Sequence, residues 1–244
     1  MAEEDRPTSV LDKITRLNLL DIVLERARNF NKKALIHCLI YVGRMNPQRH
    51  SPQDLIEHYE RMFKNYTGLL QLEPASGLLL LYPNHFVHVL EGPENVLGDV
   101  MADLSESKEL SSIISETKVL VYINDIPTRL YSQWSSRVLN LASVRMDESK
   151  MQESIESIVS EALTLILKLG AELGKYQKTQ LKTHLDQLTT KFQNLLLPQD
   201  LIESLLKSKK LLSVPDFNKK YSSPPAITLE SELVWPMRNH FPNL

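Results

Sequence analysis

Cysteine is nearly absent: Cys38 is the one cysteine in 244 residues. That excludes an intramolecular disulfide and any CxxC zinc or redox motif. A lone thiol inside an apolar run fits a reducing compartment, so a cytoplasmic location is expected. Glycine is scarce at 7 residues. Loops that cradle phosphate need glycine where backbone approaches ligand, so a nucleotide enzyme of that kind is disfavoured. Charge of one sign is not in excess: 28 Lys and Arg face 30 Asp and Glu, a net charge of −2. No concentrated basic face is implied, and nucleic acid is not an expected partner. No apolar run approaches the ~18 residues of a membrane span. Met1 to Arg6 leads into a charged amphipathic stretch, so no secretory leader is expected. No repeat of solenoid length is visible. What remains is 42% hydrophobic and 24% charged, the balance of an ordinary globular chain.

Four stretches follow from the patterning: a helical extension over 1–33, a central domain over 34–146, helices over 147–210 and an extended arm over 211–244. Thr8 to Phe30 carries Leu11, Ile14, Leu17 and Ile22 as a helical stripe. Ala34 to Gly43 (ALIHCLIYVG) is apolar and β-prone, a buried strand. Ser51-Pro52 with Asp54 starts a helix, because Ser caps, Pro suits the first turn and a carboxylate favours the positive end. Leu55, Tyr59, Met62, Phe63 and Tyr66 give it one apolar face. Ser76 to Tyr82 and His85 to Leu90 flank Pro83-Asn84, the pattern of a hairpin. Pro93 opens a second helix with Val96, Leu97, Val100, Met101 and Leu104 inward. Thr117 to Ile123 and Trp134 to Leu141 read as two further strands. The order β-α-β-β-α-β-β predicts an α+β sandwich with both helices on one face of the sheet.

Beyond it, Met151, Ile155, Ile158, Ala162, Leu165 and Leu169 recur at 4-3 spacing, as do Leu181, Leu185, Leu188, Phe192 and Leu195. Each run predicts a helix with a coiled-coil-like seam, and the pair a helical hairpin broken near Gly170 and Gly174. Val159, Leu163, Ile166 and Leu167 lie beyond the first seam, so that helix must bury a second face. The free face of the sheet or a partner is the candidate cover. Pro198 stops the second helix, and Gln199 to Lys207 is a short further one. The arm beyond Leu211 carries prolines and no periodic face.

The middle of the chain resembles a known family. The strand LIYVG, then GLLLLY (Gly77 to Tyr82), FVHVLEG (Phe86 to Gly92) and RLYSQW (Arg129 to Trp134) are similar to the BLUF domain, the sensor of blue light using FAD. FVHVLEG is the most specific piece. The resemblance covers roughly Leu35 to Leu141 and implies a ferredoxin-like fold with flavin between the two helices, over the sheet. The chain as a whole is similar to mammalian testis-expressed proteins that carry a degenerate domain of this kind.

The departures from the family pattern bear on function. Light switching there rests on a Tyr–Gln–flavin network, with an Asn helping to hold the ring. Tyr41 and Trp134 match, but the Gln position is His88. Leu70 to Ser76 offers no Asn, Ser136 replaces a Met, and Gly43 replaces a Ser. An imidazole carries its donor and acceptor on opposite sides of a rigid ring and cannot repeat an amide flip. Tyr41, His88 and Trp134 are therefore expected to be vestigial flavin-pocket positions, with no cofactor bound; FAD is the alternative.

Plainer readings stand beside the sharper ones. Tyr41 and His88 suit hydrogen-bonded core positions. His85 and His88 lie on opposite faces of one strand, as do His37 and Cys38, so neither pair chelates a metal. Glu91 to Glu94 could position an acid but more simply ends a strand and starts a helix. No Ser/His/Asp arrangement has support, and no catalytic residue is expected. The loop Gly43 to Arg49 bears arginine but is too poor in glycine for an acylphosphatase-like anion site. Lys207, Lys209 and Lys210 suit a solvated helix end as well as an acidic partner. Tyr221 to Pro225 suits a linker as well as a docking motif.

The expected function is that of a non-enzymatic scaffold, with protein partners or a second copy of itself, and no nucleic acid or membrane. The resemblance places it in male germ cells and extends to a structural role in the sperm flagellum, with axonemal or cytoskeletal partners. A flavin-binding sensor or accessory protein is the alternative.

Overall fold

The computed structural model describes residues 18–29, 34–46, 51–68, 73–139, 154–176 and 178–221. Five strands form one sheet: β1 (His37–Met45), β2 (Ser76–Leu81), β3 (His85–Gly92), β4 (Ile114–Ile123) and β5 (Trp134–Val138). Their order across the sheet is β4-β1-β3-β2-β5. All neighbours are antiparallel except β2 and β5. The β2–β3 hairpin closes at Pro83-Asn84, where the Tyr82 N–H donates to the His85 carbonyl at 2.8 Å. The α+β sandwich read from the sequence is thus the architecture observed.

Both faces of the sheet are covered because both carry apolar side chains. Leu39, Tyr41, Leu79, Leu81, Phe86 and Leu90 face a layer made by α2 (Pro52–Gly68) and α3 (Glu94–Glu106). Leu55, Ile56, Tyr59 and Phe63 from α2 meet Val96, Leu97, Val100 and Met101 from α3 there. Both helices lie on one face, as the element order predicts. The Asp54 carboxylate accepts from the Ser51 N–H at 2.8 Å, closing the start of α2. A short helix absent from the sequence reading, α4 (Lys108–Ile113), follows, with Ser107 as its N-cap accepting from Leu110 N–H. The SESKELSS stretch offered no apolar period long enough to announce it.

Cys38, Ile40, Val42, Leu78, Leu80, Val87 and Val89 face the opposite way, onto the C-terminal helices. α5 (Ile155–Gly174) buries Ile158, Ala162, Ile166, Leu169 and Leu173. The second seam, Leu181 to Phe192, is buried too, but not on one helix. It is divided among α6 (Lys178–Asp186), α7 (Leu188–Lys191) and a 3-10 turn at Gln193–Leu195. The expected two-helix hairpin is therefore corrected: a long rod would not follow a twisted sheet, and short pieces do. Gly170 does not break α5. It lets the helix approach the Tyr131 ring, where a Cβ would stand 3.0 Å from the hydroxyl.

α8 (Gln199–Lys207) completes this layer. Its Glu203 accepts from Arg44 at 2.9 Å and from His85 at 2.8 Å. Burial alone would raise this carboxyl, but the Arg44 and His85 hydrogen bonds outweigh it and hold it at about 2. Its contribution is complete above the ordinary carboxylate range and fades as pH falls toward 2.

Three other expectations shift. The N-terminal helix is described as α1 (Leu19–Asn29), and residues 8–17 lie outside the described residues. The last strand is described as Trp134–Val138, and Asn140 and Leu141 lie outside the described residues. The arm is not wholly extended: α9 (Val214–Tyr221) packs against α3 and β4, with Val214 buried and Phe217 near Tyr122. Residues 222–244 lie outside the described residues.

Gly77 has φ of +149°, and a Cβ there would run into the Val89 carbonyl oxygen across the hairpin. Both the backbone and the space demand glycine. Gly77→Ala is expected to cost about 3 kcal/mol, combining backbone strain with overpacking. Urea unfolding at neutral pH measures it.

Candidate functional site

The register of β1 on β3 puts Tyr41 opposite His88. Both side chains point toward α2 and are fully buried. Trp134 opens β5, opposite Gly77 of β2, and His88 lies opposite Leu79 of the same strand. Gly77 offers no side chain between them, so the indole reaches across β2. Trp134 Nε1 lies 3.0 Å from His88 Nε2, and His88 Nδ1 lies 2.7 Å from the Tyr41 hydroxyl. The Tyr41 hydroxyl is 2.7 Å from that of Tyr59, which descends from α2. Tyr59 also stands edge-on to His88, with ring centroids 4.6 Å apart, and Phe63 is 5.4 Å from Trp134.

The direction of this chain follows from its first member. An indole N–H only donates, so His88 Nε2 accepts and the ring proton sits on Nδ1. Nδ1–H then donates to Tyr41, whose O–H donates to Tyr59. Protonation of His88 would set two N–H groups against each other at Nε2. Burial acts in the same sense and pushes the imidazole down to about 3. Burial likewise raises both tyrosines above their ordinary range. All four groups are neutral near pH 7. Because His88 stays neutral when folded but protonates when unfolded, its contribution to stability is full above about 6.5. It declines as pH falls below that, at about 1.4 kcal/mol per pH unit.

Sequence reasoning found three members of this chain and missed the fourth: Tyr59 looked like one more apolar residue on a helical stripe. It also read Glu91 as a strand end. The connection from β4 to β5 must cross the end of the sheet, from one edge to the other, and Glu91 holds it there. Its carboxylate is buried and accepts from Ser76 Oγ at 2.9 Å, Leu130 N–H at 2.8 Å and Tyr131 N–H at 3.2 Å. Arg129 donates to Ser76 Oγ and to the Glu91 carbonyl, both at 2.9 Å. The LEG and RLY motifs are thus two halves of one latch.

The remaining candidates are dispersed. His85 turns to Glu203 on the far side of the sheet, and Cys38 is buried there too. Burial, with the nearby Glu91 charge, raises the Cys38 thiol to about 12, where it is inert. Arg44 is committed to Glu203, not to an anion loop. Lys207 and Lys210 pair with Glu203 and Glu156 at the surface. Tyr221 ends α9 beside Phe217, and the rest of that motif lies outside the described residues. No group of three or more His, Cys, Asp or Glu among the described residues could hold a metal ion. No described helix is long and apolar enough to cross a membrane.

A flavin ring between α2 and α3 would need open space over the sheet and free polar groups facing it. Tyr59, Leu97 and Val100 reach the sheet and are fully buried, and Tyr41, His88 and Trp134 have spent their polar atoms on one another. The residues present do not fit the ring.

The strand order and the two helices on one face of the sheet make this the α+β sandwich of a BLUF-like fold. Solved structures similar to the chain include BlrB, a BLUF protein in its dark state, at 23% identity over 43% of this chain and 73% of that one, with a TM-score of 0.34. They also include Klebsiella pneumoniae BlrP1 in a calcium and cyclic-diGMP complex, at 21% identity over 48% of this chain and 27% of that one, with a TM-score of 0.35. A bacterial light-regulated adenylyl cyclase is 17% identical over 62% of this chain and 40% of that one, with a TM-score of 0.35. The match thus spans well under half of the larger of these proteins. The chain belongs to the testis-expressed protein 47 family, whose profile matches residues 35–223.

Proposed function

We propose that this chain is a non-enzymatic scaffold in male germ cells, built on a BLUF-like domain without flavin. One observation carries the reading: His88 is held between Trp134 and Tyr41, with both of its ring nitrogens hydrogen-bonded within the protein. A neutral, fully buried imidazole offers no exchangeable proton to a substrate and no free acceptor to a flavin. The family supports the tissue. A structural place in the sperm flagellum, among axonemal or cytoskeletal proteins, extends that association to a cell built around a large cytoskeletal machine.

The test is the absorption spectrum of the full chain purified from cells supplied with riboflavin. No flavin band is the expected result. A band corresponding to one flavin per chain would overturn the reading in favour of a flavin-binding sensor.

A further inference from the structure

The sheet ends on β5 at one side and on β4 at the other. β5 is a blunted edge: its sequence WSSRV is polar in the middle, and Arg137 pairs with Asp186. β4 differs along its length. Its first part carries Glu116 and Lys118, and the chain between α8 and α9 crosses it there. The Val119 N–H donates to the Leu212 carbonyl at 3.0 Å, and Lys118 Nζ donates to the Leu211 carbonyl at 3.1 Å. Past that crossing, Leu120 to Ile123 carry no charge and no proline, two of the devices that keep a strand edge from pairing. Leu120, Val121 and Tyr122 are half-buried, and Ile123 is 42% exposed. Among the described residues no strand lies beside them on the outer side. A groove of about 1160 Å³ runs there, with Met101, Phe217 and Tyr221 in its wall. That exceeds the roughly 300–1,000 Å³ of most small-molecule pockets and suits an added strand.

We propose that this edge is filled by the same edge of a second copy, with Leu120 to Asn124 pairing antiparallel to itself about a two-fold axis at Tyr122. Parity restricts the register. A two-fold axis normal to the sheet keeps each side chain on its own face, so residues opposite one another must share a face. Centring on Tyr122 meets that condition and uses the whole open run: Tyr122 faces Tyr122, and Val121 faces Ile123. Moving the axis to Val121 would set Ile123 against Val119, whose N–H is already given to Leu212. The Tyr122 register also brings opposite charges together. Asp125 of each copy comes beside Val119 of the other, next to Lys118, whereas a parallel pairing would set Lys118 against Lys118. On the α3 face the Tyr122 rings meet at the axis. Each stands 6.0 Å from Phe217 between centroids, and Phe217 stands 4.6 Å from Tyr221, so aromatic surface continues across the junction. A two-fold edge pair closes on itself, so the product is a dimer and not a fibre.

Sedimentation of the full chain across a concentration series tests this. A dimer that dissociates in the micromolar range is expected, as suits a short edge contact. Ile123→Lys, at an exposed position, is expected to weaken the dimer about tenfold with the circular dichroism spectrum unchanged, because the two-fold repeats each lost contact. Tyr122→Cys is expected to give a disulfide-linked dimer on mild oxidation, since the native thiol, Cys38, is buried. Val138→Cys, on the β5 edge, is expected to give none. A chain that stays monomeric at every concentration would overturn the proposal. So would a dimer that Ile123→Lys leaves intact and Tyr122→Cys does not cross-link, which would put the contact elsewhere.

Discussion

A chain ending at Arg145 is expected to be recovered as aggregate rather than as a folded monomer. The truncation removes α5 to α9 and uncovers Cys38, Ile40, Val42, Leu78, Leu80, Val87 and Val89, which share one buried cluster with α5 to α8. At about 25 cal/mol per Å², several hundred Å² of newly wet apolar surface costs on the order of 10 kcal/mol. A whole domain holds only about 5–15 kcal/mol of stability. Arg44 and His85 would also lose the Glu203 carboxylate that pairs with both. Size-exclusion chromatography and binding of a hydrophobic dye read the outcome. A soluble monomer that unfolds cooperatively would mean that the second layer is an appendage and not half of the core.

Glu91→Ala is expected to cost about 3–5 kcal/mol, the range for removing one partner from a buried charged network. The substitution strands the N–H groups of Leu130 and Tyr131 and takes a hydrogen bond from Ser76. The damage falls on the crossing loop, so β5 should detach before the rest of the sheet melts. Glu91→Gln keeps the shape and half the acceptors, and is expected to lie between wild type and alanine. Chemical denaturation with Trp134 fluorescence follows both variants. A Glu91→Ala protein within about 0.5 kcal/mol of wild type, the usual surface effect, would show that the latch is not structural.

Much of this was legible in the sequence, for a physical reason. Strands covered on both faces become continuous apolar runs, and helices covered on one side keep a stripe, so β1 to β3, α2 and α3 announced themselves. The 4-3 seams from Ile158 to Phe192 correctly marked burial. They could not mark where the second seam breaks, because seam spacing records what is buried and not whether the backbone stays straight. α9 was missed because VPDFNKKY is too short and polar to show a period; it is held by Val214 and Phe217 docking on the α3 layer. Tyr41, His88 and Trp134 were found through motif resemblance, not through chemistry. Tyr59 and the Glu91 latch escaped because their partners are distant in sequence and meet only through the register of the sheet.

The nitrogen chemical shifts of the His88 imidazole, measured by NMR from about pH 7 to pH 5 and again with excess FAD, test the site most directly. The account predicts a neutral ring with its proton on Nδ1 and Nε2 accepting from Trp134, unchanged across the range and indifferent to FAD. Titration near the ordinary histidine value of about 6.5, or a shift of Nε2 when FAD is added, would contradict it.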